Sequence, residues 1–356
     1  RASGLLTGLL KQHGFTVESG QGGMPTAFVG TYGSGGPVVG INAEYDCLPG
    51  LSQKADMACP CPVIDGAPGQ GCGHNLLGTA AVFSAVALRY AAEKFQIPCT
   101  IKVLGSPYEE ASVGKALIAR DGVYQGLDLV MDWHPWHCNR ADYDKCNSVF
   151  VMKFHFHGKS AHGAYPWEGN SALDAGMLFG MSLEMLREHL KPINYTFQSC
   201  GPSFANVVPD ITTVQLYGRF ADMETSQNAF ARVKNCAQGA ALATNTTADC
   251  ELITYTHNKI PNKTLAEVVH RNLERYGAPA FTEQEQDFAK AMQRHMGAAP
   301  TGLDTSIQPF GPSETIICDT SEFSWNAPYV TFWVTMGPQG VGRHNWMVTA
   351  CAGGSI

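Results

Sequence analysis

A chain of 356 residues is longer than one compact core favours, so two domains are expected. Its 44% apolar and 15% charged content excludes a disordered chain, and 24 basic against 31 acidic residues leave a formal charge of −7 with no basic stripe for nucleic acid. No apolar run approaches the roughly 20 residues a membrane span needs, since the most apolar candidate, Ala80 to Ala92, is interrupted by Arg89.

In chain order, Pro37–Ile41 reads as a short buried strand running into Asn42-Ala-Glu-Tyr-Asp46-Cys-Leu-Pro49. A Gly/Pro/Cys-rich loop over 50–73 precedes a helix from about Leu76 to Lys94. A strand over Thr100–Leu104 ends at Gly105-Ser-Pro-Tyr-Glu109-Glu110, and a helix near Gly114–Asp121 leads to a strand at Leu127–Asp132 that delivers His134 beyond its end. The texture then changes. Val149–His157 alternates like a half-exposed strand, followed by a helix (Ser171 to Leu190) and strands near Asn194–Ser199 and Ile211–Phe220. A helix (Thr225 to Thr244) and a strand (Ala248–Thr256) complete the strand-helix-strand-strand-helix-strand order of a small α+β unit. Helix returns at Leu265–Tyr276, with strands at Ile316–Asp319 and Thr331–Thr335. The expected fold is a catalytic α/β domain with a central, mostly parallel sheet (1–148 and 262–356), interrupted by a ferredoxin-like α+β domain (149–261). Both ends of the chain are expected to be truncated, and nothing at the amino end reads as a signal peptide.

Twelve cysteines are scattered from Cys47 to Cys351, unlike the dense spacing of a short disulfide scaffold. A reducing, cytoplasmic location is expected; a secreted, disulfide-stabilised binding protein is the rival reading. Cys59-Pro-Cys61 reads as free loop cysteines, or else as a second metal or redox pair.

The chemistry gathers at Cys72-Gly-His74. Thiolate and imidazole two residues apart on a glycine-flanked turn can aim at one ion, zinc or a first-row metal such as manganese, cobalt or nickel. Taken alone, the triplet reads rather as a buried cysteine and a turn histidine. Glu109-Glu110 at a strand end adds a pair of carboxylates, of which one can bind metal while the other takes the proton of the attacking water. His134 sits in an extended setting before Pro135, whereas nearby His137 reads as a bystander. Asp46 either orients a ligating histidine or caps the loop. His155 and His157 share a strand face and read as a surface pair rather than a second metal site.

Several blocks then fall in one order: Glu44-Tyr-Asp46-Cys-Leu-Pro-Gly-Leu, Gly71-Cys-Gly-His-Asn-Leu-Leu-Gly-Thr-Ala80, Pro107-Tyr-Glu-Glu110, Trp133-His-Pro135, Gly158-Lys-Ser-Ala-His162, Asn206-Val-Val-Pro209 and His344-Asn-Trp346. Their order resembles the aminoacylase/carboxypeptidase G-type metallopeptidases, and within them the amidohydrolase branch. The resemblance spans nearly the whole chain and implies two divalent metal ions per subunit, zinc or manganese. Cys72, His74, Glu110, His134 and His344 would hold them, with Glu109 as general base and acid. His344 comes from the resemblance alone. Other branches carry a metal-binding histidine two residues before the position of Asp46; here that residue is Glu44, and the Cys72/His74 pair is expected to replace the missing ligand. The resemblance also makes the inserted domain a dimerisation element, with a further subunit possible. It gives His162 an oxyanion role and Asn206 and Arg219 contacts to the substrate's carbonyl or carboxylate, although Arg219 alone reads equally as a salt bridge on a strand. The implied reaction is hydrolysis of an amide next to a free amino-acid carboxylate, in p-aminobenzoyl-glutamate or another N-acyl amino acid. A dipeptidase or aminoacylase of the same chemistry is the alternative, and a catalytically silent binding homologue the remote one.

Overall fold

The computed structural model describes every residue except 191–192, 315–317 and 355–356. The chain divides into two compact units, Arg1–Lys145 with Ile260–Ile356, and Cys146–Lys259. The divisions fall three and two residues before the expected boundaries.

The first unit runs α1 (Ala2–Gln12), β1 (Thr16–Ser19), β2 (Phe28–Gly33), β3 (Val38–Glu44), α2 (His74–Phe95), β4 (Thr100–Ser106), α3 (Gly114–Arg120), β5 (Leu129–Trp136), β6 (Arg140–Ala141) and β7 (Tyr143–Lys145). The second unit holds β8 (Ser148–His157), α4 (Ala172–Leu186), β9 (Ile193–Ser199), β10 (Ile211–Phe220), α5 (Met223–Ala243) and β11 (Thr247–Thr256). The chain then returns to the first unit with α6 (Lys263–Tyr276), α7 (Glu283–His295), β12 (Pro312–Glu314), α8 (Ser321–Ser324), β13 (Tyr329–Thr335) and α9 (Trp346–Ala352). Of the strand expected over Ile316–Asp319, 316–317 lie outside the described residues, and Cys318 and Asp319 are in no strand.

The central sheet has the order β1-β2-β4-β3-β5-β13-β6. Its four inner strands (β4, β3, β5, β13) are parallel, whereas β1, β2 and β6 join antiparallel at the flanks. The sheet thus has the expected parallel body, four of its seven strands, with antiparallel strands only at the flanks. The flanking strands are short or joined to their neighbours without a crossover helix, which is how antiparallel edges arise on an α/β core. Leu6 and Leu10 of α1 and Ala81, Val82 and Ala85 of α2 pack with Ile101 and Val103 on one face. Leu104 and Val130 pack with Ile118 of α3 and Phe323 of α8 on the other.

The helix α2 positions the site. Its buried residues, His74, Leu77, Gly78, Ala81, Val82, Ala85 and Val86, recur every three or four positions and form one stripe. A Cβ on Gly78 would lie 2.4 Å from the Glu44 carbonyl oxygen, so the helix lies against the end of β3 only because that side chain is absent. With 22 residues α2 is long and apolar enough to cross a membrane by length and composition, contrary to expectation. In this fold its stripe covers the sheet and its first residue, His74, is fully buried.

The second unit is a four-stranded antiparallel sheet of order β11-β8-β10-β9. Phe150, Met152, Phe154 and Phe156 point inward at every second position of β8 and meet Phe179 of α4 and Val233 of α5 in one core. The intervening Lys153, His155 and His157 face outward. His157 Nε2 lies 2.7 Å from Asp249, and His155 Nε2 lies 3.9 Å from Glu251. That histidine pair belongs to an ion-paired strand surface.

Candidate metal centre

Five separate segments of the first unit converge at the ends of its parallel strands, the place where open α/β sheets present their sites. Glu44 ends β3, His74 opens α2, and Glu109 and Glu110 follow β4. His134 lies inside β5 rather than beyond it, because β13 pairs with β5 as far as Trp136 and extends the strand past the expected end. His344 arrives from the loop between β13 and α9, where its backbone N–H donates to the Gly71 carbonyl at 3.1 Å.

Local geometry explains the residue types. Gly73, between Cys72 and His74, has φ of 78°, and a Cβ there would stand 2.8 Å from Pro135 Cγ. Only glycine takes that turn without strain. Tyr108 and Ser112 flank the glutamate pair at φ of 62° and 52°, and His344 has 56°. Left-handed non-glycine residues cost about 1–3 kcal/mol each and gather at functional sites.

Among the described residues, three groups have donor atoms that lie within 4.8 Å of one another: Cys72, His74 and His134; Cys72, Glu110 and His344; and Glu44, His74 and Glu109. The first two share Cys72 and contain all five residues expected as ligands. Cys72 Sγ is 3.7 Å from His134 Nε2, and His344 Nε2 is 3.3 Å from Glu110 Oε2. His74 Nε2 is 3.3 Å from Glu44 Oε2 and 3.7 Å from Glu109 Oε2. Tetrahedral bonds of about 2.0–2.3 Å put donors about 3.3–3.8 Å apart, so these spacings suit donors that share a cation. His74 Nε2, Glu44 Oε2 and Glu110 Oε1 are buried and make no hydrogen bond. Orphaned buried polar atoms of this kind call for a partner, and a divalent cation fits them.

Each ring is turned by its neighbours. Asp46 Oδ1 stands 3.1 Å from His74 Nδ1 while its Oδ2 accepts from the Glu110 backbone N–H at 3.2 Å, so one carboxylate braces two ligands. His134 Nδ1 lies 2.8 Å from the Pro135 carbonyl, which also accepts from Arg343 Nη2 at 2.9 Å. Arg343 stacks on Trp136 with its Cζ 3.3 Å from the ring centroid. His137 belongs to none of the donor groups.

The charge state follows from burial and crowding. Burial would raise Cys72, but the adjacent His134 imidazole, with His344 and His74 nearby, pulls the thiol well below its ordinary value. Burial would lower His74; Asp46, Cys72 and Glu44 outweigh it and raise it well above. Burial and the Glu44 charge push Glu109 well above the carboxylate range, and burial with the Cys72 charge raises Glu110 to about 7. Glu44 goes the other way, to about 2, because Lys115 and His74 overcome its burial.

These shifts set a pH dependence. A raised carboxyl in the fold holds its proton more tightly than in the unfolded chain, so the stability it contributes is complete below its ordinary 4.5 and is lost as pH rises through about 7. Chelator-treated protein is expected to lose melting temperature across that window, and Glu110→Gln to lessen the slope. Added zinc or manganese reverses the trend, because ligands must shed protons to bind. A slope identical in wild type and Glu110→Gln refutes this assignment.

The other expected site residues lie in the second unit. His162 is exposed, pairs with Val207 through an isolated bridge, and accepts from the Ala164 N–H at 3.0 Å. Asn206 is its neighbour, for the Gly163 N–H donates to the Asn206 carbonyl at 2.9 Å. Arg219 is not brought to them. It lies near the far end of β10, where it donates to Asn194 Oδ1 at 3.1 Å and stacks on Tyr217. Eight strand rises separate it from Ile211, roughly 26 Å at about 3.3 Å each within one chain.

Glu44, Lys115, Asp319 and Arg343 are site residues that the sequence does not announce. Glu44 stands out there only as a missing histidine, and Lys115 reads as an ordinary lysine on a short helix. Both lie at ends of predicted elements facing the ligands, which is the one signal the sequence offers.

Donors for more than one cation, with a proton-accepting carboxylate beside them, define a metal-dependent hydrolase. Residues 149–245 match the family described as a peptidase dimerisation domain. The chain is 31% identical over 377 aligned positions to one of the subunits of p-aminobenzoyl-glutamate hydrolase of Escherichia coli (strain K12), covering 97% of this chain and 78% of that protein. It is 33% identical over 276 positions to Xaa-Arg dipeptidase of Mus musculus, covering 73% of this chain and 59% of the dipeptidase. Its fold also matches a dinuclear metal-binding peptidase of the M20 family from Bacillus subtilis, with a TM-score of 0.58 and 14% identity over 98% of this chain and 88% of that one. The chain belongs to the M20 family of metallopeptidases and is a hydrolase of amide bonds.

Proposed function

We propose that this hydrolase cleaves an amide next to a free amino-acid carboxylate, with p-aminobenzoyl-glutamate as its leading substrate. The observation that carries the reading is the pair of donor groups hinged on Cys72, with Glu109 set beside them, in a chain so similar to the Escherichia coli hydrolase. The identity with Xaa-Arg dipeptidase supports a dipeptide substrate as the second reading.

Cys72, His74 and His134 would hold one cation, and Cys72, Glu110 and His344 another, with zinc or manganese suited to the mixed donor set. What divalent cations supply in such a site is polarisation of the carbonyl and acidification of water. Glu109 takes the proton from the attacking water and returns it to the departing nitrogen, a task for which a buried carboxyl of raised pKa is suited. Asp46 keeps the His74 ring in one orientation while this happens. For the oxyanion and the substrate carbonyl we propose His162 and Asn206, which neighbour each other in the second unit.

Homodimerisation through the second unit is supported by its family match and by its surface. Met177, Met181 and Met185 recur at four-residue spacing along one face of α4 and are 55–65% exposed, and β9 is paired on one side only among the described residues. We further propose a reducing, cytoplasmic setting, on the scattered spacing of the twelve cysteines in a chain of this length.

The test is hydrolysis of p-aminobenzoyl-glutamate by the full-length protein with added manganese or zinc, a chelator control, and a parallel panel of N-acyl amino acids and Xaa-Arg dipeptides. Chelator-sensitive glutamate release from a preparation that sediments as a dimer is expected. Protein that retains metal yet cleaves nothing in the panel sinks the reading.

A further inference from the structure

Behind the metal centre lies a buried ionic chain that the hydrolytic mechanism does not use. Lys115, in α3, is fully buried, and its Nζ lies 2.8 Å from both Glu44 Oε1 and Asp319 Oδ1. Asp319 grips the lysine twice, since its Oδ2 also accepts from the Lys115 backbone N–H at 2.8 Å. Asn42 Nδ2 donates to the same Glu44 Oε1 at 3.0 Å. The other Glu44 oxygen, Oε2, makes no hydrogen bond and faces His74 Nε2 at 3.3 Å. Glu44 is thus held at one oxygen by Lys115 and Asn42 and left with the other aimed at a ligand ring.

Burying a lysine with two carboxylates is costly unless the geometry is nearly ideal, and apolar replacements of equal volume are often as stable. The arrangement is therefore better explained by what it orients than by what it stabilises. His74 has a carboxylate at each nitrogen: Asp46 at Nδ1, Glu44 at Nε2. The position of Glu44 Oε2 decides the space and charge around Nε2, the atom left without a hydrogen bond. We propose that Lys115 is a positioning residue of the metal centre, acting through Glu44 on His74, with Asp319 as the clamp that holds the lysine in place. The inference rests on the metal-dependent reading above.

Cobalt(II) binding to the full-length, metal-depleted protein provides the test, through its affinity and through the thiolate and d–d absorption bands. Binding by the wild-type chain with a thiolate band comes first; its absence overturns the metal reading and this one with it. Lys115→Met is expected to weaken cobalt binding about 10–100-fold, the range seen when groups that orient ligands are removed, and to shift the d–d bands. In a Glu44→Gln background the further loss on removing Lys115 shrinks to about twofold or less, since coupled residues are not additive. If Lys115→Met does not fold, Asp319→Asn measured with and without Glu44→Gln gives the same cycle. Cobalt affinity within about twofold of wild type in the single variant, or an equal loss in both backgrounds, overturns the role of Lys115 while leaving the metal reading intact.

Discussion

Glu109→Gln is expected to lower kcat by about 10²–10⁴-fold, the usual contribution of a general acid–base group, with no change in bound metal. The substitution keeps the size of a side chain that is only 13% exposed and removes its capacity to accept a proton. Glu109 belongs to neither donor group that contains Cys72, so the ligands themselves stay in place. Glu110→Gln is the contrasting variant, because that carboxylate stands 3.3 Å from His344 Nε2 and shares a donor group with it; it should lose metal together with activity. Metal analysis beside steady-state kinetics separates the two glutamates. A Glu109→Gln enzyme turning over near the wild-type rate would falsify the proposed mechanism.

The second large effect concerns Cys72. As the one residue common to the two proposed ion positions, it should control both ions, whereas His134 and His344 each serve one. Cys72→Ala is expected to weaken both binding events by more than about 100-fold, beyond the effect of removing an orienting neighbour. His344→Ala should spare one. Titration of metal-depleted protein with zinc, read as stoichiometry, distinguishes the variants. Retention of one tightly held ion by Cys72→Ala would show that the thiolate does not bridge the two positions.

Much of the fold is legible because side-chain alternation states it directly. The strand expected at Ile211–Phe220 is β10 itself, and Phe150 to Phe156 announce the inward face of β8. The ligand turn is legible for a similar reason: Gly71 to His74 compresses a tight turn and two donors into four residues. The flanking strands are not. β1 is only four residues long and β2 is interrupted by Gly30 and ends at Gly33, so neither shows a clear alternation, and they are fixed by their pairing with each other and by that of β2 with β4. His344 is invisible as a ligand without the family resemblance, since its role depends on a hydrogen bond to Gly71, distant in sequence. Lys115 and Asp319, 204 positions apart, cannot be joined by any local pattern. Arg219 is placed by a correctly read strand, beside Asn194 of β9.

The two ends of the inserted unit meet, with the Lys259 backbone N–H donating to the Cys146 carbonyl at 3.1 Å. A segment of more than a hundred residues therefore leaves and rejoins the first unit at a single doorway. Closing such a gap takes only a turn-length peptide, for which the chain-entropy penalty grows slowly with length. The insert can accordingly be gained, lost or exchanged as a cassette without rewiring the sheet that carries the ligands. The surface of the insert can then drift while the donors of the metal centre stay fixed in the sheet.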